Sequence, residues 1–447
     1  MVFQFWNNTR LFVQLISLCC LTLLQINSQI FTFTVICMDD IKMNHTGENQ
    51  HWIDSNSDKN ILFSATAVGA LFGIIPAVPL LHKFGVRKIQ TLCGIFSSIG
   101  TILFPFSVDY TGYFGVMICR VLQGFGISIL LTLIGVIPRS WSPEDEVGTY
   151  LAILSCAYQI SSTIFLSSAG FMCESSLSWR FIYYLFGFIS VLFFGIFYVF
   201  YTDSPKSHRN VSISELQKIE TGKKETAKEK VPYFAICTDL CNIIAWISFL
   251  GGNLGYTTFL LYGPTYLRDI LKMDAKTAGL SNGIPYLFCA IIKLVVGRVS
   301  DKLPGIREKT RFTCWLFISV IGIVIGMLVM AWTDDHLIAQ GGFTFSIATS
   351  GLVIMAAIRC LQLRTLQHCH FAVSVISFLA YVVQFIIPLG VDFICPDNTP
   401  QQWSKLFIVI SILMILTSIP FPFITTQNAG KYTKKHSKID IISDDKL

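Results

Sequence analysis

Charge is scarce in this sequence. Asp, Glu, Lys and Arg make up 13% of 447 residues, where soluble domains usually carry about 25%. A soluble chain of this length divides into two or three cores, each with a polar coat. The polar residues needed for such coats are missing, which excludes a soluble globular class. Catalytic patterns are missing too. No His/Cys spacing suits a metal, no Gly-rich loop cradles a phosphate, and no nucleophile sits beside a base. His368-Cys369-His370 places its two imidazoles on different helix faces. An enzyme, a bound cofactor and ATP-driven pumping are therefore not expected. Carboxylates are absent from the middle of every apolar block, with Asp109, Asp239 and Asp392 lying near block ends.

What is present is apolar length. Hydrophobic residues form 53% of the chain, with 37 Phe and 31 Gly, and they fall into long blocks. About 20 apolar residues cross the hydrocarbon of a bilayer. Spans are predicted near 11–37, 61–81, 89–108, 113–137, 148–173 and 180–202, then near 233–261, 276–297, 311–332, 338–361, 369–392 and 403–425. The run from Leu11 to Cys37 follows Arg10 as a signal peptide would, but it is too long for an h-region of ~7–15 residues. It reads as a retained first span. Membrane lipid is thus one partner. The net charge of +6 does not imply nucleic acid, because the basic residues sit in loops rather than on one face. Most of the 14 Cys, including Cys93, Cys119, Cys156 and Cys289, lie inside apolar blocks and read as buried thiols. Cys173 and Cys395 are placed to meet on the outer face.

An even number of spans puts both termini on one side. Most of the 33 Lys and Arg lie in the first ten residues, the even-numbered loops and the tail, so that side is expected to be cytosolic. The sequon Asn44-His45-Thr46 falls in the long outer loop, where Asn44 can be glycosylated. The plasma membrane and an endolysosomal or vesicle membrane both fit. The longest inner loop, 203–232, has mixed charge and no core residues, as a solvated linker does. It separates a six-span half at 1–202 from another at 233–425, with a polar tail at 426–447. The expected fold class is therefore all-α membrane, about twelve transmembrane helices in two six-helix halves, functioning as a monomer.

Several motifs fall in register with this layout. Gly297-Arg298-Val299-Ser300-Asp301-Lys302 resembles the facilitator loop G-x-x-x-D-[RK]. In that loop Gly lets helices approach and the carboxylate holds a basic partner, latching a gate. The equivalent first-half loop keeps Lys83, Gly85 and Arg87, but His82 stands where the motif has Asp. Arg120-Val121-Leu122-Gln123-Gly124 matches R-x-x-Q-G, and Trp141-Ser142-Pro143-Glu144-Asp145-Glu146 matches W-x-P-x-x-E. Trp179 with Tyr183-Tyr184 and Phe186-Gly187 looks like W…FYxFG. Ser204-Pro205 with His208, then Ile213-Ser214-Glu215, looks like S-P-x-x-H-P-x-I-x-x-E. Together these resemble the major facilitator superfamily, in the anion transporter branch that includes sialin, vesicular glutamate and sodium–phosphate transporters. The resemblance runs from about Met38 to Pro304. It implies a fold of two six-helix halves that rock about a central site, here serving a small solute. The chain departs from the branch at Asn27, Phe63, Ile127 and Gly252, where the family carries charged or ionisable residues.

Of that charged set only Arg120 remains. It lies roughly 7 residues into the fourth span, ~10 Å deep, and burial at depth costs at least ~2.5–3.5 kcal/mol. It is therefore expected to face water and to present its planar donor fork to a carboxylate or phosphate. Gln123, Asn27, Gln29, Tyr158, Gln159, Asn253 and Tyr256 are polar positions that can line the same path and bind substrate, while Gly297, Arg298, Asp301, Lys302, Lys83, Gly85 and Arg87 form the gates. Lys293 is close enough to the inner end of its span to snorkel. One cation without an intramembrane carboxylate favours anions and predicts facilitated diffusion or exchange rather than sodium or proton coupling. The expected function is alternating-access transport of an organic anion or phosphate. The alternative is a non-transporting sensor or scaffold derived from a transporter.

Overall fold

The computed structural model describes residues 7–38, 40–41, 52–221, 231–302 and 305–433, and only the backbone of 78, 82 and 297–302. Asn44 and residues 434–447 lie outside that set. The described chain is helical. We label its helices α1 (Thr9–Thr34), α2 (Asn56–Phe106), α3 (Gly112–Ile127), α4 (Leu130–Trp141), α5 (Val147–Ser155), α6 (Ala157–Glu174), α7 (Ser178–Phe200) and α8 (Ile213–Glu220). There follow α9 (Tyr233–Cys237), α10 (Leu240–Thr265), α11 (Ala275–Lys302), α12 (Glu308–Trp332), α13 (His336–Thr365), α14 (Cys369–Ile394), α15 (Pro400–Ser418) and α16 (Phe421–Ile424).

Ten stretches of the described chain are long and apolar enough to cross a membrane, and two of them, Lys83–Trp141 and His336–Ile394, run 59 residues. A straight helix of that length would reach ~90 Å, about three times the hydrocarbon thickness. Both stretches turn back on themselves. The first reverses at Ser107–Thr111 and Gly112, whose φ is 64°. The second reverses at Leu366, with φ 43°. Ten stretches therefore hold twelve crossings, with no strand among the described residues. The backbone polar groups close on themselves within helices, as lipid requires. Large apolar side chains point outward, including Phe72, Phe114, Phe188 and Leu192, as lipid-facing surfaces do. The seventh span begins at Leu240 rather than near 233, because Tyr233–Cys237 forms a separate short helix.

By contacts the chain forms two compact units. The first takes Met1–Glu225, Thr258–Ala290 and Gln384–Trp403; the second takes Thr226–Thr257, Ile291–Val383 and Ser404–Leu447. In the first unit α3 lies against α2 through glycines. A Cβ on Gly124 would collide with the Thr66 carbonyl, and one on Gly69 with the Val121 carbonyl. Close backbone approach of this kind is how helices associate where lipid removes the hydrophobic drive. It also fixes α3, and with it Arg120, against α2. One face of this unit is clamped by Arg180 at the start of α7. Its guanidinium reaches Asp40 (2.5 Å) and Asp109 (2.7 Å), beyond the far ends of α1 and α2. Cys37 and Cys173 form a disulfide on that same face. The pairing corrects the expected meeting of Cys173 with Cys395, which is a free thiol. Cys37 ends an apolar block and gave no sign of being a bridge half.

In the second unit Arg364 at the end of α13 holds Asp239, just before α10, with Nε 2.6 Å and Nη2 3.0 Å from the two carboxylate oxygens. The start of the tail is ordered against this pair. Gly430 N–H donates to the Arg364 carbonyl (2.8 Å), and Asn242 Nδ2 donates to Tyr432 Oη (3.0 Å).

The Gly124 contact yields a direct prediction. Gly124→Val forces backbone apart and should destabilise by about 1–3 kcal/mol, read as a lowered Tm of the detergent-purified protein. Gly148→Val, where a Cβ meets nothing within 4 Å, should leave Tm unchanged.

Candidate functional site

Arg120 stands in the middle of the first unit with no exposed surface. Its Nε donates to the Leu62 carbonyl (3.3 Å), and Nη1 donates to the Ser28 carbonyl (3.1 Å) and to Gln123 Oε1 (2.7 Å). The guanidinium carbon lies 5.2 Å from the centre of the Phe31 ring. Thus α1, α2 and α3 converge on one cation. No carboxylate among the described residues pairs with it, and Nη2 has no protein acceptor. Leaving a buried charged donor unmatched is costly, so this arrangement has spare capacity for an anion. The expectation of a water-facing Arg120 does not describe this state, in which the side chain is enclosed.

Gln123 is equally enclosed and passes a hydrogen bond to Thr101 Oγ1 (3.1 Å). Gln29, next to Ser28, accepts from Ser162 Oγ (3.1 Å), leaving its Nε2 without a partner. Gln159, one turn before Ser162 on α6, leaves Oε1 without one. Tyr158 beside it is half-buried. Asn27 points elsewhere, donating to Ser190 Oγ on α7 (3.1 Å), a helix–helix contact. Asn253 and Tyr256 belong to the second unit, where Asn253 Nδ2 donates to Thr257 Oγ1 (3.2 Å). The structure thus joins Arg120 directly to Gln123, places Gln29 against Ser162 on α6, and uses Asn27 in a contact with α7.

The connection holding Lys83, Gly85 and Arg87, where α2 breaks at Gly85 into two helical segments, is built around a carboxylate from outside the motif. Asp203, after α7, accepts the Arg87 backbone N–H (3.0 Å), while Arg87 Nε donates to the Tyr198 carbonyl (2.6 Å). Gly85 has φ 83°, and a Cβ there would strike the Asp203 carboxylate. Only glycine suits that conformation and that contact. Asp203 supplies the anchoring carboxylate that the loop lacks at His82. Lys83 sits over the Phe84 ring, 5.2 Å from its centre. In the second gate motif Gly297, Arg298, Asp301 and Lys302 lie on the helical backbone of α11, and their side chains fall outside the described set.

The remaining first-half motifs interlock near the same end. Arg10 Nη1 meets Glu146 Oε2 (2.8 Å), and its backbone N–H donates to Glu215 Oε1 (2.9 Å). Lys218 approaches Glu146 at 3.7 Å. Trp141 packs edge-on to His208 with ring centres 5.4 Å apart, and its Nε1 donates to the Thr202 carbonyl (3.1 Å). Ser212 caps α8 by accepting from Glu215 N–H (3.1 Å). The W-x-P-x-x-E and S-P-x-x-H signatures are therefore two sides of one clasp around the start of α1.

A cavity of about 190 Å³ opens in the first unit where α1 and α10 end and α2 begins, lined by Lys59, Asn60, Phe63, Tyr262, Arg268 and Trp403 among others. None of these was expected as a site residue. Lys59 and Arg268 were nevertheless visible in sequence as exceptions to the charge bias, basic residues on the side where they are few.

Three comparisons bear on identity. The sequence model of the Major Facilitator Superfamily matches residues 15–390. Sialin of Ovis aries is 24% identical over 392 residues, which cover 85% of this chain and 77% of that protein. Sodium-dependent phosphate transport protein 1 of Oryctolagus cuniculus is 23% identical, over 81% of this chain and 79% of the relative. Among solved structures, a bacterial homolog of the human lysosomal transporter Spinster aligns with a TM-score of 0.68 and 12% identity. It covers 93% of this chain and 96% of its own, a likeness of fold.

The clasp makes one prediction. Burial pushes the His208 pKa below its usual value, partly opposed by the hydrogen bond to the Phe200 carbonyl. The neutral ring donates from Nε2 to that carbonyl (2.9 Å) and accepts the Asn210 N–H at Nδ1 (3.2 Å), so a second proton breaks the latter bond. With the folded pKa depressed, the unfolded state binds more protons as pH falls below ~6.5, and stability falls with it. Tm should drop between about pH 7 and pH 5, and His208→Gln should flatten that slope.

Proposed function

This chain belongs to the major facilitator superfamily, and from that membership we propose that it is a secondary transporter carrying a small organic anion or phosphate by alternating access. The observation that carries the anion is Arg120: a guanidinium enclosed by carbonyls and an amide, with one donor nitrogen unmatched and no carboxylate beside it. A site for a cationic solute would hold a carboxylate there. Phosphate appears in the names of several relatives, and the fork of an arginine suits phosphate and carboxylate alike. Substrate is held by Arg120 and Gln123, with Gln29, Tyr158 and Gln159 supplying further hydrogen bonds from the same unit.

Alternating access divides the chain into a rocking half at 1–202 and another at 233–425, joined by 203–232. The loop at Lys83, Gly85 and Arg87 and the motif at Gly297–Lys302 close the cytosolic side. The termini are cytosolic. The Cys37–Cys173 disulfide supports this sidedness, because it places the opposite ends of α1 and α6 on an oxidising face, the same side as the sequon at Asn44. The protein acts as a monomer in a plasma membrane or an endolysosomal or vesicle membrane and performs no covalent chemistry on its solute. Transport is facilitated diffusion or exchange rather than sodium- or proton-coupled uptake, the reading that a single intramembrane cation favours.

Flux decides the matter. Proteoliposomes should accumulate radiolabelled phosphate or at least one member of a tritiated organic-anion panel. Arg120→Gln should cut that flux about ten- to hundredfold, the loss expected when a charged hydrogen bond is removed. Arg120→Lys should fall between, keeping charge but not the fork. Binding without flux, or unchanged flux in Arg120→Gln, would overturn the reading.

A further inference from the structure

Within the first unit α6 and α11 run antiparallel along a seam of small residues. A Cβ on Gly170 would collide with the Ala275 carbonyl (2.7 Å), one on Gly279 with the Leu166 carbonyl (2.6 Å), and one on Gly283 with the Ser167 hydroxyl. Glu174, the last residue of α6, accepts the Lys276 N–H at the start of α11 (2.9 Å). Glycine contacts bring helix backbones together where lipid supplies no hydrophobic drive.

Asn282 stands in this seam with no exposed surface. Neither its Nδ2 nor its Oδ1 has a hydrogen-bond partner among the described residues. Helical spacing puts it on one side of α11 with Gly279, Gly283 and Cys289. Burying an amide with both ends unmatched costs free energy, and a leucine of similar volume carries no such cost. Packing alone gives no reason for asparagine at this position.

A run of contacts leads from this side of α11 toward Arg120. Arg120 Nη1 donates to the Ser28 carbonyl (3.1 Å), and Gln29, the next residue, accepts from Ser162 Oγ on α6 (3.1 Å). One turn earlier on α6, Gln159 Nε2 reaches Cys289 Sγ on α11 (4.0 Å). Helix α6 therefore touches the helix that holds the guanidinium and the helix that carries Asn282. Gln29 Nε2 and Gln159 Oε1, on the same run, are also unmatched. Buried donors and acceptors are normally satisfied, so a succession of idle ones marks groups that work in another state.

We propose that Asn282 is a substrate-contacting residue supplied by α11, whose amide hydrogen-bonds a neutral hydroxyl on the organic anion that Arg120 holds by its charge. This rests on the anion-transport reading above and deepens it, dividing recognition between a charge reader and a hydroxyl reader. An amide offers a donor and an acceptor side by side, which suits a hydroxyl and sets no charge against the guanidinium. A site built to pair with a solute hydroxyl rejects the analogue lacking it, because its own polar group is then left unmatched. Asn282 so determines specificity, and its idle amide in the closed seam is the stability given up for that role.

The test is the concentration dependence of initial uptake into proteoliposomes of tritiated glucuronate, lactate and propionate and of radiolabelled phosphate. Propionate is lactate without its hydroxyl. Wild type should carry glucuronate or lactate in preference to propionate. Asn282→Leu should raise KM for that hydroxy acid about tenfold, the loss of one buried hydrogen bond to substrate, and erase the preference, while Tm stays the same or rises. Asn282→Gln should restore part of the affinity. An unchanged KM in Asn282→Leu, with flux still lost in Arg120→Gln, overturns the proposal and leaves the transport reading intact. A lowered Tm in Asn282→Leu overturns it too, since the amide would then be serving the fold. Wild-type uptake of phosphate or propionate alone also overturns it, and uptake of no probe removes the anion-transport reading together with it.

Discussion

One enclosed guanidinium organises the first unit. Arg120 draws carbonyls from α1 and α2 and an amide from its own helix toward one point. Its burial is tolerated because those three acceptors replace water on one side. The contact needs α3 close to α2, which the reciprocal glycines at Gly69 and Gly124 permit. It also needs α1 to hold its register, which the clamps at its two ends enforce. Arg10 with Glu146 and Glu215 fixes one end, and Arg180 with Asp40 and the Cys37–Cys173 bridge fixes the other. A cation with one unmatched donor, on a scaffold tied at both faces, is held in place before any ligand arrives, as the proposed role requires.

The two units use the same device with the charges exchanged. In the first, a basic residue starts the first span and an acid follows the fourth, Arg10 with Glu146. In the second, an acid precedes the seventh span and a base ends the tenth, Asp239 with Arg364. Positions one repeat apart thus carry opposite signs, and each unit closes its own pair. Because both pairs are only partly exposed, they are screened less than surface pairs. Each pair lies within a single unit.

Much of this was legible in sequence, for physical reasons. Apolar length fixes the crossings because lipid admits little else, and among the described residues ten apolar stretches, two of them 59 residues long, accommodate the expected twelve. The span limits near 11–37 and 311–332 lie close to Thr9–Cys37 and Glu308–Trp332. Arg120 stood out because an intramembrane charge has no bland environment. What stayed hidden depended on contacts distant in sequence. Asp203 anchors Arg87 across 116 residues, and nothing local to His82 indicates that the loop has a carboxylate from elsewhere. Cys37 looked like any apolar-block thiol until α1 and α6 ended side by side. Asn27, polar and mid-span, proved to be a rivet to Ser190, a distinction that composition cannot make. The motifs around Trp141 and His208 were readable as patterns, and only their three-dimensional meeting explains why they occur together.

The central claim is that water and anions reach Arg120 although this state encloses it. Ser28, whose carbonyl holds the guanidinium, is the reporter. Ser28→Cys, placed in a chain reconstituted in liposomes, should react with an anionic methanethiosulfonate faster than with a cationic one of the same size. That preference should disappear when Arg120→Gln is added, and anionic substrate should slow the reaction. A cysteine at this position that no aqueous reagent reaches from either side, or that reacts with both reagents equally, would contradict the account.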